Sequence, residues 1–265
     1  MTNVRKPRWK NENNKGISRM GKRKIFKIFF LLILSSPVLV AQTEKNIDHQ
    51  SLLWTRYCNQ LTISNKWSVH SEFDNRVFIN PIEQNLFVAR VQGRYKAKEQ
   101  IELGAGFAYF SVATQNPEVD LGFNVPEYRG QQEVSVKQSL GKIMLTHRYQ
   151  IEERFVHNFD KEGLVDGTTF FLRFRYRIQG DHDLWKSEKQ YLKAIVSDEI
   201  MFNAGDKIIK NTFDQNRFYV GLQLGINPSL ATEIGFLNSF QERASGVDYF
   251  NRNIIRFSIY HKLKI

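Results

Sequence analysis

From residue 66 onward the chain alternates. In KWSVHSEFDNRVF (66–78), Trp67, Val69, Ser71, Phe73, Asn75 and Val77 fall on one side, and Ser68, His70, Glu72, Asp74 and Arg76 on the other. A repeat of two is the period of a β-strand, whose successive side chains point to opposite faces. The pattern recurs over 84–97, 99–112, 127–140, 142–156, 168–178, 211–226 and 251–265, and less cleanly over 190–203 and 229–242. In TTFFLRFRYRI (168–178), Phe170, Leu172, Phe174, Tyr176 and Ile178 oppose Arg173, Arg175 and Arg177. With the strand that must precede Ser64, eleven segments are found, and no convincing amphipathic helix.

The links alternate in length. Ser64-Asn65, Lys96–Lys98, Gly141-Lys142 and Asn227–Ser229 are short, and the polar stretches near 113–126, 157–167, 203–210 and 243–250 are longer. Long strands with alternately short and long links predict a transmembrane β-barrel. A soluble β-sandwich, as a secreted binding module, is the rival, with its apolar face inward. Strand length, aromatic residues near strand ends and an apolar face kept to Ile265 favour the barrel. Bacterial single-chain barrels have an even strand count. The expectation is therefore a closed antiparallel barrel of about twelve strands, residues 42–50 supplying the twelfth, with ten as the next choice.

Composition at first points elsewhere. The 265 residues carry a formal net charge of +11, which suits a nucleic-acid binder. Ten of the basic residues lie in 1–41, however, leaving 28 basic and 26 acidic residues beyond. A basic patch (Lys22, Arg23, Lys24, Lys27), the apolar run Ile28–Leu34 and Ala41 before a polar start read as a cleaved signal peptide over 20–41. The patternless residues 1–19 read as an extension upstream of a start at Met20. The barrel then occupies 42–265. Nucleic acid drops out as a partner, and export to a Gram-negative outer membrane is the expected destination, with outer-membrane lipid and the barrel-assembly machinery as partners. The lone Cys58 reads as a small buried or lipid-facing hydrophobe.

Membrane closure decides which face is inside. An arginine at mid-bilayer on the lipid side costs about 2–4 kcal/mol, so the charged face belongs in the lumen. The predicted lumen-lining set is Glu72, Asp74, Arg76, Arg129, Glu133, Arg148, Glu152, Arg154, Arg173, Arg175, Arg177, Glu199, Arg217 and Glu233, with Glu127 beside them. Two roles fit this set. It is a structural salt-bridge ladder, since buried charges must be paired, or a porin-like conduit for small polar or anionic solutes, since arginine forks suit carboxylates and phosphates. The structural role is favoured. An outer-membrane lipid hydrolase or deacylase is the other class. It needs a Ser/His pair with an orienting acid. His49, His70, His147, His157, His182 and His261 sit in no nucleophile-elbow or zinc-protease motif. No catalytic residue, cofactor or metal ligand is assigned.

KWSVHSEFDNRVF, EYRGQQEVSV, HRYQIEERF, LRFRYRI, DEIMFN and QNRFYVGLQLG together resemble the bacterial outer-membrane barrel family known as domain of unknown function 2490. The resemblance runs over roughly 54–265. It implies an outer-membrane barrel and supplies neither an activity nor an active site.

Overall fold

The computed structural model describes residues 44–119 and 121–265. The extension expected over 1–19 and the signal peptide expected over 20–41 lie outside them. Eleven strands follow one another: β1 (Asn46–Thr62), β2 (Trp67–Phe78), β3 (Gln84–Lys98), β4 (Ile101–Val112), β5 (Val125–Leu140), β6 (Ile143–Phe159), β7 (Leu164–Lys186), β8 (Tyr191–Ala204), β9 (Phe213–Asn227), β10 (Leu230–Glu242) and β11 (Asp248–Lys264). Each pairs with its neighbours in sequence, and β1 pairs with β11, so the sheet closes into a barrel. A sandwich is thereby ruled out.

The expected count of twelve is corrected to eleven. Residues 46–50 do not form a separate strand; they are the first part of β1, which runs unbroken to Thr62. The odd count also corrects the expectation of a wholly antiparallel barrel. Ten strand-to-strand reversals leave β11 running the same way as β1. Closure is therefore parallel, over seventeen residue pairs from Asn46↔Asp248 to Thr62↔Lys264. Every other pairing is antiparallel.

The links sort by end. Residues 63–66, 99–100, 141–142, 187–190 and 228–229 turn at one end, and 79–83, 113–124, 160–163, 205–212 and 243–247 connect at the other. The loop expected over 157–167 shrinks to four residues. The Asp160 carboxylate accepts from the backbone N–H of Glu162 and Gly163, an Asx turn that lets the β6–β7 hairpin extend to Phe159 and Leu164.

Side-chain burial is inverted relative to a soluble protein. Glu152 is 0% exposed, and Glu72, Asp74, Arg76, Glu127, Arg129, Glu133, Arg154, Arg173, Glu199 and Glu233 are also buried. Phe107 is 73% exposed and Ile234 57%; Trp67, Phe73, Tyr128, Tyr149, Phe170, Val196 and Leu222 are exposed as well. Adjacent outer aromatics pair across strands, as Trp67 with Tyr95 at 4.8 Å and Phe155 with Phe170 at 4.9 Å between centroids. Two carboxylates, Glu153 and Asp198, depart from the rule; the exposed Asp198 accepts from Asn216 at 2.9 Å. Glu153 lies on the outer face over Gly130, where a Cβ would meet its Oε2 at 2.4 Å, and Gln132 donates to it at 3.2 Å.

The interior is not uniformly charged. Leu52, Trp54, Phe78, Ile195, Tyr219, Leu237 and Ile254 form a buried apolar cluster, and Leu86, Val88, Ala108 and Phe110 a second. The acid–arginine pairs concentrate on β5 to β9, facing this greasier part of the wall.

Candidate functional site

The predicted lumen residues meet in a connected network. Glu152 accepts from Arg129 at 2.9 Å, Arg175 at 2.6 Å, Gln131 at 3.2 Å and Gln150 at 3.1 Å, with Arg173 at 3.8 Å. Arg175 also donates to both oxygens of Glu199, at 3.1 and 3.0 Å, and Arg148 donates to Glu199 from the other side. Glu127 holds Arg129 and Arg154. Arg173 reaches Asp214 at 3.0 Å, and Arg76 reaches Asp74 at 2.7 Å. Glu133 lies 3.9 Å from Arg148 and 4.0 Å from Arg94. Strand geometry brings these groups together. Arg173 and Glu152 are direct cross-strand partners, as are Arg177 and Glu199, and Arg217 and Glu199.

Glu233 anchors a second centre. It accepts from Tyr219 at 2.8 Å, Arg256 at 2.9 Å, Gln223 at 3.1 Å and Tyr260 at 3.2 Å. Tyr219 reaches it by lying flat over Gly221 and Gly235. A Cβ at either glycine would stand 2.2 or 2.4 Å from its hydroxyl oxygen. The ring in turn carries the Arg256 guanidinium, 3.7 Å above its centroid. Gly235→Ala is expected to lower stability by about 1–3 kcal/mol through overpacking. Tyr219→Leu placed in the same chain should return part of that loss, read from the temperature at which the folded band converts on gels. An additive second loss would count against this packing.

Several arginines rest on ring faces: Arg76 on Trp54 at 3.8 Å, Arg129 on Phe110 at 3.5 Å, Arg154 on Phe171 at 4.3 Å and Arg252 on Phe250 at 4.4 Å. A ring under the plane holds a guanidinium in place and leaves its N–H edge free.

A cavity of about 650 Å³ runs between these walls. Its lining includes Thr114, Gln115, Asn211 and Arg243 from the longer connections, and no residue of the five short turns. At the opposite extreme it reaches Arg56, Arg148, Arg177 and Arg256. The lumen is thus a chamber open toward the loop end. The β4–β5 connection bends across that mouth. Gln115 accepts through its backbone oxygen from Gln50 of β1 at 3.0 Å, and through its side chain from Arg252 of β11 at 2.9 Å.

Sequence reasoning missed Arg56, Arg90, Asp214 and Arg252. Arg56 and Arg90 share Glu72, at 3.0 and 3.6 Å. On β1 the inward face is Leu52, Trp54, Arg56 and Cys58, so alternating charge gave no sign of it. Cys58 is buried in the lumen rather than facing outward, and Arg56 donates to its sulfur at 3.6 Å. Register places one ligand atom each of Cys58, His70 and Glu72 within 4.8 Å of one another. The spacing in the chain hides this group, because Cys58 and Glu72 are cross-strand partners. Arg56 and Arg90 already neutralise Glu72, and two guanidiniums oppose a dication there.

No histidine donates to or accepts from a serine, threonine or cysteine side chain among the described residues. His147 pairs with the Tyr176 hydroxyl, His261 with that of Tyr57, and His157 and His182 with backbone oxygens. No helix among the described residues is long and apolar enough to cross a membrane, which says nothing of strands.

Comparison with curated proteins and with solved structures finds no match. The expected family resemblance does hold: a family model described as protein of unknown function, DUF2490, matches residues 52–251, and the chain belongs to that family.

Proposed function

We propose that the chain is an outer-membrane β-barrel, exported by the segment 20–41, whose lumen takes up small polar solutes from its loop end and acts as a narrow conduit. The inversion of side chains carries this reading. Carboxylates and guanidiniums fill the inside while Phe107 and Ile234 stand on the outer surface, the arrangement that hydrocarbon outside and a polar lumen inside require. Short turns belong on the periplasmic side and longer loops outside, so the chamber faces the exterior. Outer-membrane lipid is then the solvent of the apolar face, and the barrel-assembly machinery inserts the chain.

The ladder from Glu127 to Glu199 narrows the lumen without filling it. In planar bilayers the purified protein is expected to show small, anion-preferring currents, well below those of a wide general porin. Recovery of the chain from the supernatant of lysed cells without detergent would overturn the membrane reading. A membrane-embedded barrel that carries no current would leave the lumen a purely structural ladder.

A further inference from the structure

We propose that the lumen binds a small water-borne polyanion, a molecule with two or more carboxylate or phosphate groups, on a track of arginines running from Arg252 through Arg217 to Arg177. This deepens the chamber reading above and rests on its cavity, though not on the membrane around it.

The first observation is a surplus of positive charge. Thirteen arginines and six carboxylates line the cavity. Glu133, Glu152 and Glu233, just behind the lining, also pair with those arginines. No carboxylate among the described residues lies within 4.0 Å of the enclosed Arg177, Arg217 and Arg252 or of Arg243 at the exposed mouth; Glu199, which acts on Arg177 and Arg217, and Asp48, which acts on Arg252, stay beyond ion-pair distance. A buried charge without a counter-ion is costly. An occupant that supplies the missing negative charge removes that cost.

The second observation is a surplus of donors. The Arg177 side chain makes no hydrogen bond among the described residues, and its Nε is buried without an acceptor. Arg217 gives only its Nε, to the Gln215 amide oxygen at 2.9 Å, and its terminal nitrogens are left for the cavity. Arg252 bonds neutral oxygens alone, those of Gln50, Gln115 and Gln241. Trp54, 5% exposed and part of the same lining, has an indole N–H with no acceptor. Arg76 and Arg217 both approach the Trp54 ring, at 3.8 and 5.2 Å. Guanidinium and indole groups only donate, so the partner they lack is an acceptor, and for guanidiniums without an ion pair an oxyanion supplies both the acceptor and the charge.

The third observation is the placement of the track. Arg252 pairs across strands with Ser239, Ser239 with Arg217, Arg217 with Glu199, Glu199 with Arg177, and Arg177 with Arg148. These residues form one row around the wall. Strands in a barrel are tilted, so such a row also climbs along the axis. Arg252 is four residues from the loop end of β11, and Arg148 five from the short-turn end of β6. Arg252, Arg217 and Arg177 sit on alternate strands, about 10 Å apart along the wall. A single small ion cannot serve all three, whereas a molecule with several anionic groups can. The wall is closed by eleven strand pairings and the mouth is at the loop end, so the occupant arrives from water rather than from the lipid.

The test uses the full chain purified in detergent, with citrate and pyrophosphate as probes and acetate at matched ionic strength as control. Citrate or pyrophosphate should raise the unfolding midpoint saturably, and acetate should not. Arg217→Gln and Arg252→Gln should each weaken that response about tenfold, the loss of one charge-assisted contact. Both variants should keep or raise the midpoint without anion, because each relieves repulsion; an arginine with a purely structural role would lower it. Arg243→Gln, at the exposed mouth, should fold like the parent and weaken the response by a smaller factor. Absence of a saturable response in a parent barrel that still shows heat-modifiable mobility overturns the proposal, as does an unchanged response in folded Arg217→Gln and Arg252→Gln. Membrane fractionation is read separately, so a barrel that stays in the membrane but ignores both probes sinks this inference alone.

Discussion

Glu152→Leu is expected to destabilise the barrel by about 3 kcal/mol, the lower part of the range for removing one partner of a buried ion pair. The carboxylate is wholly enclosed and accepts from Arg129, Arg175, Gln131 and Gln150. Its loss does not strip these arginines bare. Arg129 keeps Glu127, Arg175 keeps Glu199, and Arg173 keeps Asp214. What changes is the balance: one negative charge leaves a region where arginines already outnumber acids, and two glutamine amides lose an acceptor. Glu152→Gln preserves an acceptor oxygen and should fall between parent and leucine variant. The control is Glu99→Gln, which removes an exposed pair with Lys96 at 2.8 Å and should shift stability by no more than a few tenths of a kcal/mol. Unfolding in urea from lipid vesicles reads all three. Equal shifts for the Glu152 and Glu99 variants would show that the lumen is as well hydrated as the surface.

Ile234→Arg is expected to cost about 2–4 kcal/mol in a bilayer and under about 0.5 kcal/mol if the outer face meets water. Ile234 pairs across strands with Leu222 and Phe257, all three on the exposed apolar face. The new guanidinium therefore finds no carboxylate partner in either flanking strand at that level. Phe107 is more exposed but less suitable, because its β5 partner Gly130 lies under the outward carboxylate of Glu153. The measurement is the unfolding free energy of parent and variant in vesicles. A cost near zero would mean that this apolar surface is covered by something other than hydrocarbon.

The facing of most strands was legible because alternation is a local property. Glu72, Asp74 and Arg76 on β2, and Arg173, Arg175 and Arg177 on β7, point inward as their spacing implies. Three things were not legible. Strand β1 turns Leu52, Trp54 and Cys58 inward, so from Leu52 to Cys58 its inner face carries the single charge of Arg56 in place of the alternating charges that mark the others. The strand number follows from how the sheet closes, which no single segment encodes. Finally, which acid meets which arginine depends on register between strands. Cys58 beside Glu72, and Ser239 between Arg252 and Arg217, become neighbours only through pairing. Arg252 and Asp214 lie near the starts of their strands, where the apolar alternation that identifies a face has barely begun.

The parallel seam between β1 and β11 has a consequence for engineering the chain. Asn46 and Lys264 lie at opposite rims, separated by the length of a seventeen-residue strand, about 53 Å for its steps of 3.3 Å. A circular permutant joining them through a few glycines would be unable to bridge that span and keep the native register. A linker long enough to traverse the barrel, or deletion of one strand to bring both rims together, would be needed to cyclise it. If the barrel spans a membrane as proposed, reporter groups fused at the two positions would in turn sample different aqueous compartments.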